Sequence, residues 1–345
     1  MKKVLIAGLG SIGQRHARNL RALFGNDIEL LGYRRVGTVG VITAAMTLDP
    51  SVTVDERYGL RSFDRLDTAL RERPDAVLVC TPTAHHIEVA IAAVRAGCHV
   101  LIEKPLAASD REIDSLLDAV DRTGVVATVG YQLRFHPALL RLRELLCAKT
   151  VGRVVSVRAE MGEYLPDAHP YEDYRVSYAG RADLGGGVIL CYSHEIDYVL
   201  WLFGTARRVF ASGGRLGDLD IDVEDTAVMT LDCTRDGRAL PVQLHLSFLQ
   251  RPPSRSCEVV GDRGTIRIDF AQPSLTVADA SGAIARQTFD GFARNQLFLD
   301  ELRAFDAAIG GDRSRVAPLA DGVAALRVAL AARTSLATGE AVTLS

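Results

Sequence analysis

Short apolar runs alternate with segments of helical spacing through about the first 125 residues of the chain. The runs typical of buried strands are Val4–Ala7, Ile28–Tyr33, Ala76–Cys80, His99–Ile102 and Val125–Val129. The segments between them that place apolar residues on one helical face are Gln14–Leu23, Leu66–Glu72, His86–Ala96 and Asp110–Arg122. This alternation predicts an α/β architecture in which helices cover a doubly wound parallel sheet.

After about residue 150 the pattern changes to strict alternation of apolar and polar residues. The alternation runs through Val155–Met161, Ala227–Cys233 and Val242–Phe248, with turn sequences at Asp236-Gly237 and Gly261–Gly264. Two amphipathic helices, Asn295–Ile309 and Asp321–Ser335, follow. We therefore predict a C-terminal α+β domain with a large open, mainly antiparallel sheet, and divide the chain into residues 1–127 and 128–345.

Composition favours an enzyme over a nucleic-acid-binding or membrane protein. The formal net charge of −3 over 345 residues leaves no basic excess for a phosphate backbone. No apolar run is long enough for a transmembrane helix, and the first one stops at Gly8, too early for a signal peptide. The six cysteines form no Cys-x-x-Cys pair, which argues against a zinc site and disulfides and favours a cytoplasmic setting.

A glycine-rich segment lies directly between the first predicted strand and the first predicted helix. It reads Gly8-Leu9-Gly10-Ser11-Ile12-Gly13, which is the spacing of a dinucleotide fingerprint. Glycines at these positions let the backbone approach a pyrophosphate, whose charge is favoured at a helix N-terminus. The alternative is a purely structural turn, but the strand and helix around the segment favour cofactor binding.

The end of the second predicted strand bears on the choice between NAD and NADP. Sites that prefer NAD carry Asp or Glu there, whereas this chain has Tyr33-Arg34-Arg35. Two guanidiniums can bind a 2′-phosphate, so the sequence predicts NADP, with NAD possible. The alternative is that Arg34 and Arg35 are solvated, or stack on adenine without selecting a cofactor.

Two further segments carry groups suited to proton transfer. Glu103-Lys104-Pro105 follows a predicted parallel strand, at the sheet edge where such folds bind ligands. Gly185-Gly186-Gly187 precedes a predicted helix, extending to Gly204, that places His194 and Asp197 on one face. A His-x-x-Asp pair also occurs in metal sites, but no further ligands follow at suitable spacing, so we expect no metal.

Five motifs in register resemble the glucose-fructose oxidoreductase, inositol dehydrogenase and rhizopine-catabolism (Gfo/Idh/MocA) family. They are Gly8-x-Gly10-x-x-Gly13, Thr81-Pro82-x-x-x-His86, Glu103-Lys104-Pro105, Gly130-Tyr131-Gln132-x-Arg134-Phe135-x-Pro137, and Gly185-Gly186-Gly187 to His194-x-x-Asp197. The resemblance covers nearly the whole chain. It implies a Rossmann domain, a second domain with an open sheet, and oxidation or reduction at a ring carbon of a sugar, cyclitol or related compound.

The resemblance also implies residue roles. Lys104 would contact nicotinamide and substrate, and His194 would be the acid/base. The other cofactor-lining residues would be Ser11, Ile12, Thr81, Pro82, Thr83, His86, Glu103 and Gln132. The other substrate-lining residues would be Tyr131, Arg134, Tyr164, His169, Tyr174, Cys191 and Asp197.

One position departs from the family pattern. Many members place an aspartate three or four residues before the histidine, where this chain has Cys191. Without that carboxylate His194 should be a weaker base. Two alternatives therefore remain beside a sugar-type dehydrogenase: a biosynthetic keto or imine reductase, and a dinucleotide-sensing regulatory protein without turnover. The open sheet, with Gln243, His245 and Ser247 on its second face, predicts a homodimer or homotetramer.

Overall fold

The computed structural model describes residues 1–35, 40–43 and 46–344. The first strands are β1 Lys3–Ala7, β2 Glu29–Tyr33, β3 Gly40–Ile42, β4 Leu48–Thr53, β5 Leu60–Phe63, β6 Ala76–Val79, β7 His99–Glu103 and β8 Ala127–Gly130. The helices between them are α1 Ser11–Phe24, α2 Val54–Tyr58, α3 Leu66–Arg71, α4 His86–Arg95 and α5 Ile113–Thr123. Six of these strands form a parallel sheet in the order β5-β2-β1-β6-β7-β8, which confirms the predicted doubly wound unit.

Two local features of this unit differ from the sequence prediction. Strand β5 was not predicted, because Leu60-Arg61-Ser62-Phe63 is an edge strand with little apolar patterning. Helix α5 begins at Ile113 instead of Asp110, since Glu112 takes a left-handed conformation with φ 60° just before it. The central strands β1 and β6 are buried on both faces, as a parallel sheet with helices on each side requires.

The second sheet is larger. Its strands are β9 Val154–Tyr164, β10 Ala206–Gly214, β11 Thr226–Arg235, β12 Arg238–Ser247, β13 Leu249–Gly261, β14 Gly264–Asp269, β15 Ser274–Asp279, β16 Ile284–Thr288 and β17 Val342–Thr343. They follow the order β16-β15-β14-β13-β9-β12-β11-β10-β17, and β12 with β9 is the parallel pair among antiparallel neighbours. The mainly antiparallel sheet is confirmed, and tight turns join β11 to β12 and β13 to β14 as predicted.

Helices cover one face of the second sheet and return to the first. They are α6 Pro137–Cys147, α7 Leu165–Ala168, α8 Val188–Cys191, α9 Ser193–Phe203, α10 Asn295–Ile309 and α11 Leu319–Thr338. Helix α10 packs Leu302 and Phe305 into the core that surrounds Val4 and Ile6, and Asp306 accepts a hydrogen bond of 2.8 Å from the N-terminal ammonium group. The last part of the chain therefore ties the two sheets together.

The single helix predicted from Gly187 to Gly204 is two helices. The backbone breaks at Tyr192, where φ is −102° and ψ is 32°, so α8 ends and α9 begins on either side of it. In the described part of the chain, no helix has the length and apolar character that a membrane crossing needs.

Candidate active site

The turn between β1 and α1 is shaped by its glycines. Gly8 has φ 102°, and a Cβ there would lie 2.4 Å from the carbonyl oxygen of Cys80. A Cβ on Gly13 would lie 1.9 Å from the Gly8 oxygen, whereas one on Gly10 would meet no atom within 4 Å. The first turn of α1, which contains Ser11 and Ile12, carries no acidic residue. The turn thus presents an open backbone cradle at a helix N-terminus, which fits a pyrophosphate.

The loop after β6 contains the next predicted cofactor residues, Thr81, Pro82 and Thr83. Thr81 Oγ1 is buried and has no hydrogen-bond partner among the described residues. The same holds for Oε1 of Gln132, which follows the last strand of the parallel sheet. Buried polar atoms are almost always paired in a functional state, so these two atoms favour a bound ligand. The residues present therefore fit a dinucleotide along this edge.

His86 has a bracing position instead of an open one. Its Nδ1 lies 2.9 Å from the carbonyl oxygen of Pro105, and its Nε2 lies 2.9 Å from that of Thr81. Burial lowers the pKa of His86. The imidazole therefore lies between the loops after β6 and β7 and helps to fix their spacing, and its predicted place in the cofactor lining stays a prediction.

Glu103 and Lys104 point in different directions from the end of β7. The Glu103 carboxylate lies 2.7 Å from His16 Nε2 and beside Glu301, whose pKa is raised well above its usual range by burial and by Glu103. Lys104 Nζ donates a 2.7 Å hydrogen bond to the carbonyl oxygen of Cys191, the last residue of α8. Burial lowers the pKa of Lys104, and no carboxylate forms an ion pair with it in the described chain.

His194 lies near the start of α9 and is 5% exposed. Its ring packs edge-on against Tyr131, with centroids 5.7 Å apart, and its Nδ1 has no partner among the residues described. Burial, followed by the charges of Lys104, Arg255 and Arg294, lowers its pKa well below the usual value. His194 is therefore neutral near pH 7 and able to accept a proton. The structure thus brings the two predicted chemical residues, Lys104 and His194, into one site.

Buried ion pairs surround His194. Arg255 of β13 donates two hydrogen bonds, of 2.7 and 3.0 Å, to the fully buried carboxylate of Glu195. Asp197, predicted to face the substrate, instead accepts from Arg134 at 3.0 Å, and burial raises its pKa to about 6. Arg134 also reaches Asp321 at 2.7 Å, so both predicted substrate residues are already engaged with other side chains.

Cys191 contributes its backbone more than its thiol. Its carbonyl oxygen holds Lys104, while its thiol lies beside the Tyr178 hydroxyl, and burial raises the thiol pKa to about 11. The position that often holds an aspartate in the resembling family therefore provides a neutral group. No carboxylate takes its place on His194 Nδ1 within the described chain.

The predicted substrate segment is only partly near the cradle. Tyr164 packs under the guanidinium of Arg251, which lies 3.3 Å from the ring centroid. His169 pairs with Glu172 at 3.2 Å, and the Tyr174 hydroxyl accepts from the Asp220 amide at 3.4 Å. Tyr171, which was not predicted, lies beside Ser11 of the glycine cradle. An aromatic residue therefore contacts the glycine turn two residues after the predicted His169.

The two arginines after β2 are paired with carboxylates. Arg34 forms a bidentate ion pair with Asp55 at 3.2 and 2.9 Å, and Arg35 reaches Glu88 at 3.2 Å. No carboxylate was expected beside these arginines from the sequence, and that expectation is wrong. Asp55 and Glu88 come from α2 and α4, too far along the chain for the local pattern to indicate them.

Three charged residues near the site were missed in the sequence: Arg15, Arg255 and Arg294. Arg15 is two residues beyond the glycine motif, and this spacing was the one available signal. The other two come from β13 and from the residue before α10, and nothing near them in the sequence marks a site.

Comparison with known proteins agrees with this geometry. Residues 2–131 match a family described as an oxidoreductase family with an NAD-binding Rossmann fold, and residues 139–267 match the GFO/IDH/MocA C-terminal domain. Myo-inositol 2-dehydrogenase of Thermotoga maritima is 28% identical over 97% of this chain and 96% of its own. The rhizopine catabolism protein MocA of Rhizobium meliloti is 30% identical over 75% of this chain and 74% of its own.

A solved structure gives the same picture. GenD2 from gentamicin A biosynthesis, in complex with NAD, has a TM-score of 0.79 and 25% identity, covering 100% of this chain and 96% of its own. The similarity in fold to that protein therefore extends over the whole of this chain.

Proposed function

Since the chain belongs to the GFO/IDH/MocA oxidoreductase family, we propose that it oxidises or reduces a ring carbon of a sugar, cyclitol or related compound with a nicotinamide dinucleotide. The observation that carries the proposal is the meeting of Lys104 and His194 beside a glycine cradle that fits a pyrophosphate. Relatives named as acting on myo-inositol and 1,5-anhydro-D-fructose support the substrate class.

The chain's residues divide the chemistry between them. When bound, the nicotinamide supplies or accepts a hydride. Neutral His194 accepts the hydroxyl proton in the oxidative direction and returns it in the reductive one. Lys104, held by the Cys191 carbonyl, places its positive charge where the substrate oxygen becomes negative. Tyr131, packed on the imidazole, fixes the orientation of the ring.

Turnover assays test this proposal. Purified protein is assayed with NADP⁺ and NAD⁺ against a panel of myo-inositol, D-xylose, D-glucose and levoglucosan, following reduced nicotinamide by absorbance. We expect turnover with at least one sugar or cyclitol, abolished in Lys104→Met. Tight dinucleotide binding with no turnover in either direction would contradict the proposal and favour a dinucleotide-sensing regulator.

A second candidate function is a keto or imine reductase. It is favoured by the missing carboxylate at Cys191 and the unpartnered His194 Nδ1, because reduction needs a weaker base than oxidation does. The ratio of initial rates in the two directions at pH 7 separates the two candidates. If the protein is a keto or imine reductase, Cys191→Asp should raise the rate of the oxidative reaction more than that of the reductive one.

For the cofactor we propose NADP over NAD. Arg34 and Arg35 lie at the end of β2, where the ribose 2′-position is expected, and a 2′-phosphate would compete with Asp55 and Glu88 for them. Arg34→Ala should therefore weaken NADP⁺ about 10-fold or more and leave NAD⁺ nearly unchanged. Equal losses for both cofactors, or tighter NAD⁺ binding by the native protein, would contradict this preference.

We also propose a homo-oligomer formed through the outer face of the second sheet, in the domain we assign to residues 128–345. That face is not covered by helices and carries both signs of charge, with Arg158 and Arg267 paired to Glu258. A cavity of about 560 Å³ lies on it, lined in part by Gln243 and His245. Light scattering at micromolar concentration should give at least twice the 37.3 kDa chain mass. The mass of a single chain would contradict the proposed homo-oligomer.

We also propose a cytoplasmic location, with which the six free cysteines agree.

A further inference from the structure

The position of the Lys104 ammonium group depends on how firmly its backbone is held. The lysine side chain is long and flexible, and its Nζ donates to the Cys191 carbonyl oxygen at 2.7 Å. A charge lowers a reaction barrier most when it is already in place, because no reorganisation is then needed. Strand β7 ends at Glu103, so Lys104 is the first residue beyond the ladder of the sheet. Its backbone therefore needs other contacts to fix it.

The residue before Lys104 is held by a histidine of α1. Nε2 of His16 lies 2.7 Å from Oε1 of Glu103, and the two residues are 0% and 5% exposed. Oε2 of Glu103 accepts a hydrogen bond of 3.3 Å from the Lys104 amide. A Cβ on Gly130 of the adjacent strand would lie 3.2 Å from that oxygen, so the carboxylate is closely packed. The Glu103 carboxylate thus links α1 to the backbone of Lys104.

The residue after Lys104 is held by a second buried histidine. Nδ1 of His86 lies 2.9 Å from the carbonyl oxygen of Pro105, and its Nε2 lies 2.9 Å from that of Thr81. Lys104 therefore lies between two residues that each contact a histidine ring. His16 belongs to the helix that follows the glycine turn, and Thr81 belongs to the loop after β6. Both contacts thus begin at segments expected to bind the dinucleotide.

The buried histidines of the chain are concentrated around this lysine. Four histidines are buried among the described residues. Two of them, His16 and His86, contact the neighbours of Lys104, and a third is His194, while His136 caps the first turn of α6. Burying a polar ring costs free energy unless hydrogen bonds replace its contacts with water. The distribution favours a role of His16 and His86 at the reacting groups over a general role in stability.

Building on the proposed function, we infer that His16 is a positioning residue of the reaction: through Glu103, and together with His86 on the other side, it fixes Lys104 where the substrate oxygen becomes negative. His16 itself touches neither the reacting carbon nor the nicotinamide in this arrangement. Its loss should therefore affect the rate of the chemical step more than the binding of the dinucleotide.

Steady-state kinetics of two His16 variants test the inference. Gln places an amide N–H near the position of the His16 Nε2, whereas Asn is too short to reach the Glu103 carboxylate. We expect His16→Asn to lower kcat about 10- to 100-fold and the affinity for NADP⁺ less than about 3-fold, because a small displacement of a reacting group is costly in rate. His16→Gln should recover most of kcat.

A leucine pair separates positioning from stability. His16→Leu also removes the hydrogen bond and leaves no unpaired amide. His99→Leu is the matched control, because His99 lies at the other end of β7 and accepts a 2.9 Å hydrogen bond from the Val126 amide. Urea unfolding should show lower stability in both variants, whereas kcat should fall in His16→Leu alone.

Crystal structures of the short His16 variants supply a readout without turnover. We expect Lys104 Nζ to lie outside hydrogen-bond distance of the Cys191 carbonyl oxygen in His16→Asn and in His16→Leu. An unchanged Lys104 contact in these crystals, an unchanged kcat, or equal losses in His16→Gln and His16→Asn would overturn the inference. If the native protein turns over no sugar or cyclitol, the proposed function fails, and the place of Lys104 in the crystals still decides the inference.

Discussion

The two sides of the cleft are built by different means. The dinucleotide side consists mainly of backbone: Gly8 has a positive φ that few other residues adopt, and a side chain on Gly13 would collide with the Gly8 carbonyl oxygen. The substrate side consists of charged side chains from distant parts of the chain, such as Arg255 with Glu195. A short motif can encode the first kind of surface completely. The second exists only after the chain has folded, so each residue looks ordinary in the sequence.

The difference also affects energy. A glycine turn costs conformational entropy but no desolvated charge, whereas each buried ion on the substrate side needs its partner. Substitutions on the dinucleotide side should therefore change the shape of the turn or its affinity for the ligand, whereas substitutions on the substrate side should lower catalysis or break a buried ion pair.

The largest expected effect is on turnover. Replacing His194 by Ala should lower kcat about 10²- to 10⁴-fold, the scale of positioned acid–base catalysis, with dinucleotide affinity nearly unchanged. The pH profile sharpens the test, because the folded pKa of His194 lies below its usual value. The native protein should stay active as pH falls through 6.5 and lose activity only well below that. A fully active variant would remove His194 from the mechanism.

The next effect is on stability. Replacing Glu195 by Gln leaves Arg255 buried beside an uncharged group, and breaking such a pair costs about 3–5 kcal/mol. Urea unfolding monitored by Trp201 fluorescence measures the free energy of unfolding. The control is Asp300→Asn, which removes the exposed partner of Arg303 and should cost less than about 1 kcal/mol. Equal losses in the two variants would show that the substrate side does not depend on its buried pairs.

The features that the sequence predicted are those that depend on local patterns of residues. The parallel sheet, the open antiparallel sheet and helix Asn295–Ile309 were predicted, because the spacing of apolar residues along the chain indicates which face of a strand or helix is buried. Lys104 and His194 were predicted to meet because motif spacing and family resemblance mark them. The ion pair between Arg134 and Asp197 was not predicted, since sequence spacing does not show which acid faces which base.

Strand β5 and the break at Tyr192 were missed for a related reason. An edge strand is half solvated and has a weak pattern. Apolar residues lie on both sides of the break, in Val188–Cys191 and in Tyr198–Phe203, so the sequence pattern gives no sign of it. Tyr171 could not be found from its neighbours, because the contact with Ser11 that brings it to the glycine turn is long-range.

On the dinucleotide side, two alanine substitutions separate shape from ligand. Gly8→Ala places a Cβ against the Cys80 carbonyl at a positive φ and should lower the free energy of unfolding by about 3 kcal/mol. Gly10→Ala meets no protein atom, so stability should change by less than about 1 kcal/mol while the dissociation constant for NADP⁺ rises. Unfolding and fluorescence titration of both proteins provide the comparison. A stable Gly8→Ala, or unchanged binding by Gly10→Ala, would contradict this division.

The smallest expected effect comes from His136, which packs between Phe270 and Phe292 on the substrate side. Burial, helped by Arg255, lowers its pKa to about 4, whereas an unfolded histidine titrates near about 6.5. Because the unfolded state takes up this proton first, the stabilisation is complete above pH 6.5 and is lost as pH falls toward 4. Between pH 7.5 and pH 5 His136 should account for about 2 kcal/mol of lost stability.

His136→Asn can still accept the hydrogen bond from the Ala138 amide that starts α6. Urea unfolding at both pH values should therefore show a smaller pH dependence in the variant than in the native protein. Parallel curves would mean that His136 is charged in the folded state and that the substrate side tolerates one more positive charge than its arginines suggest.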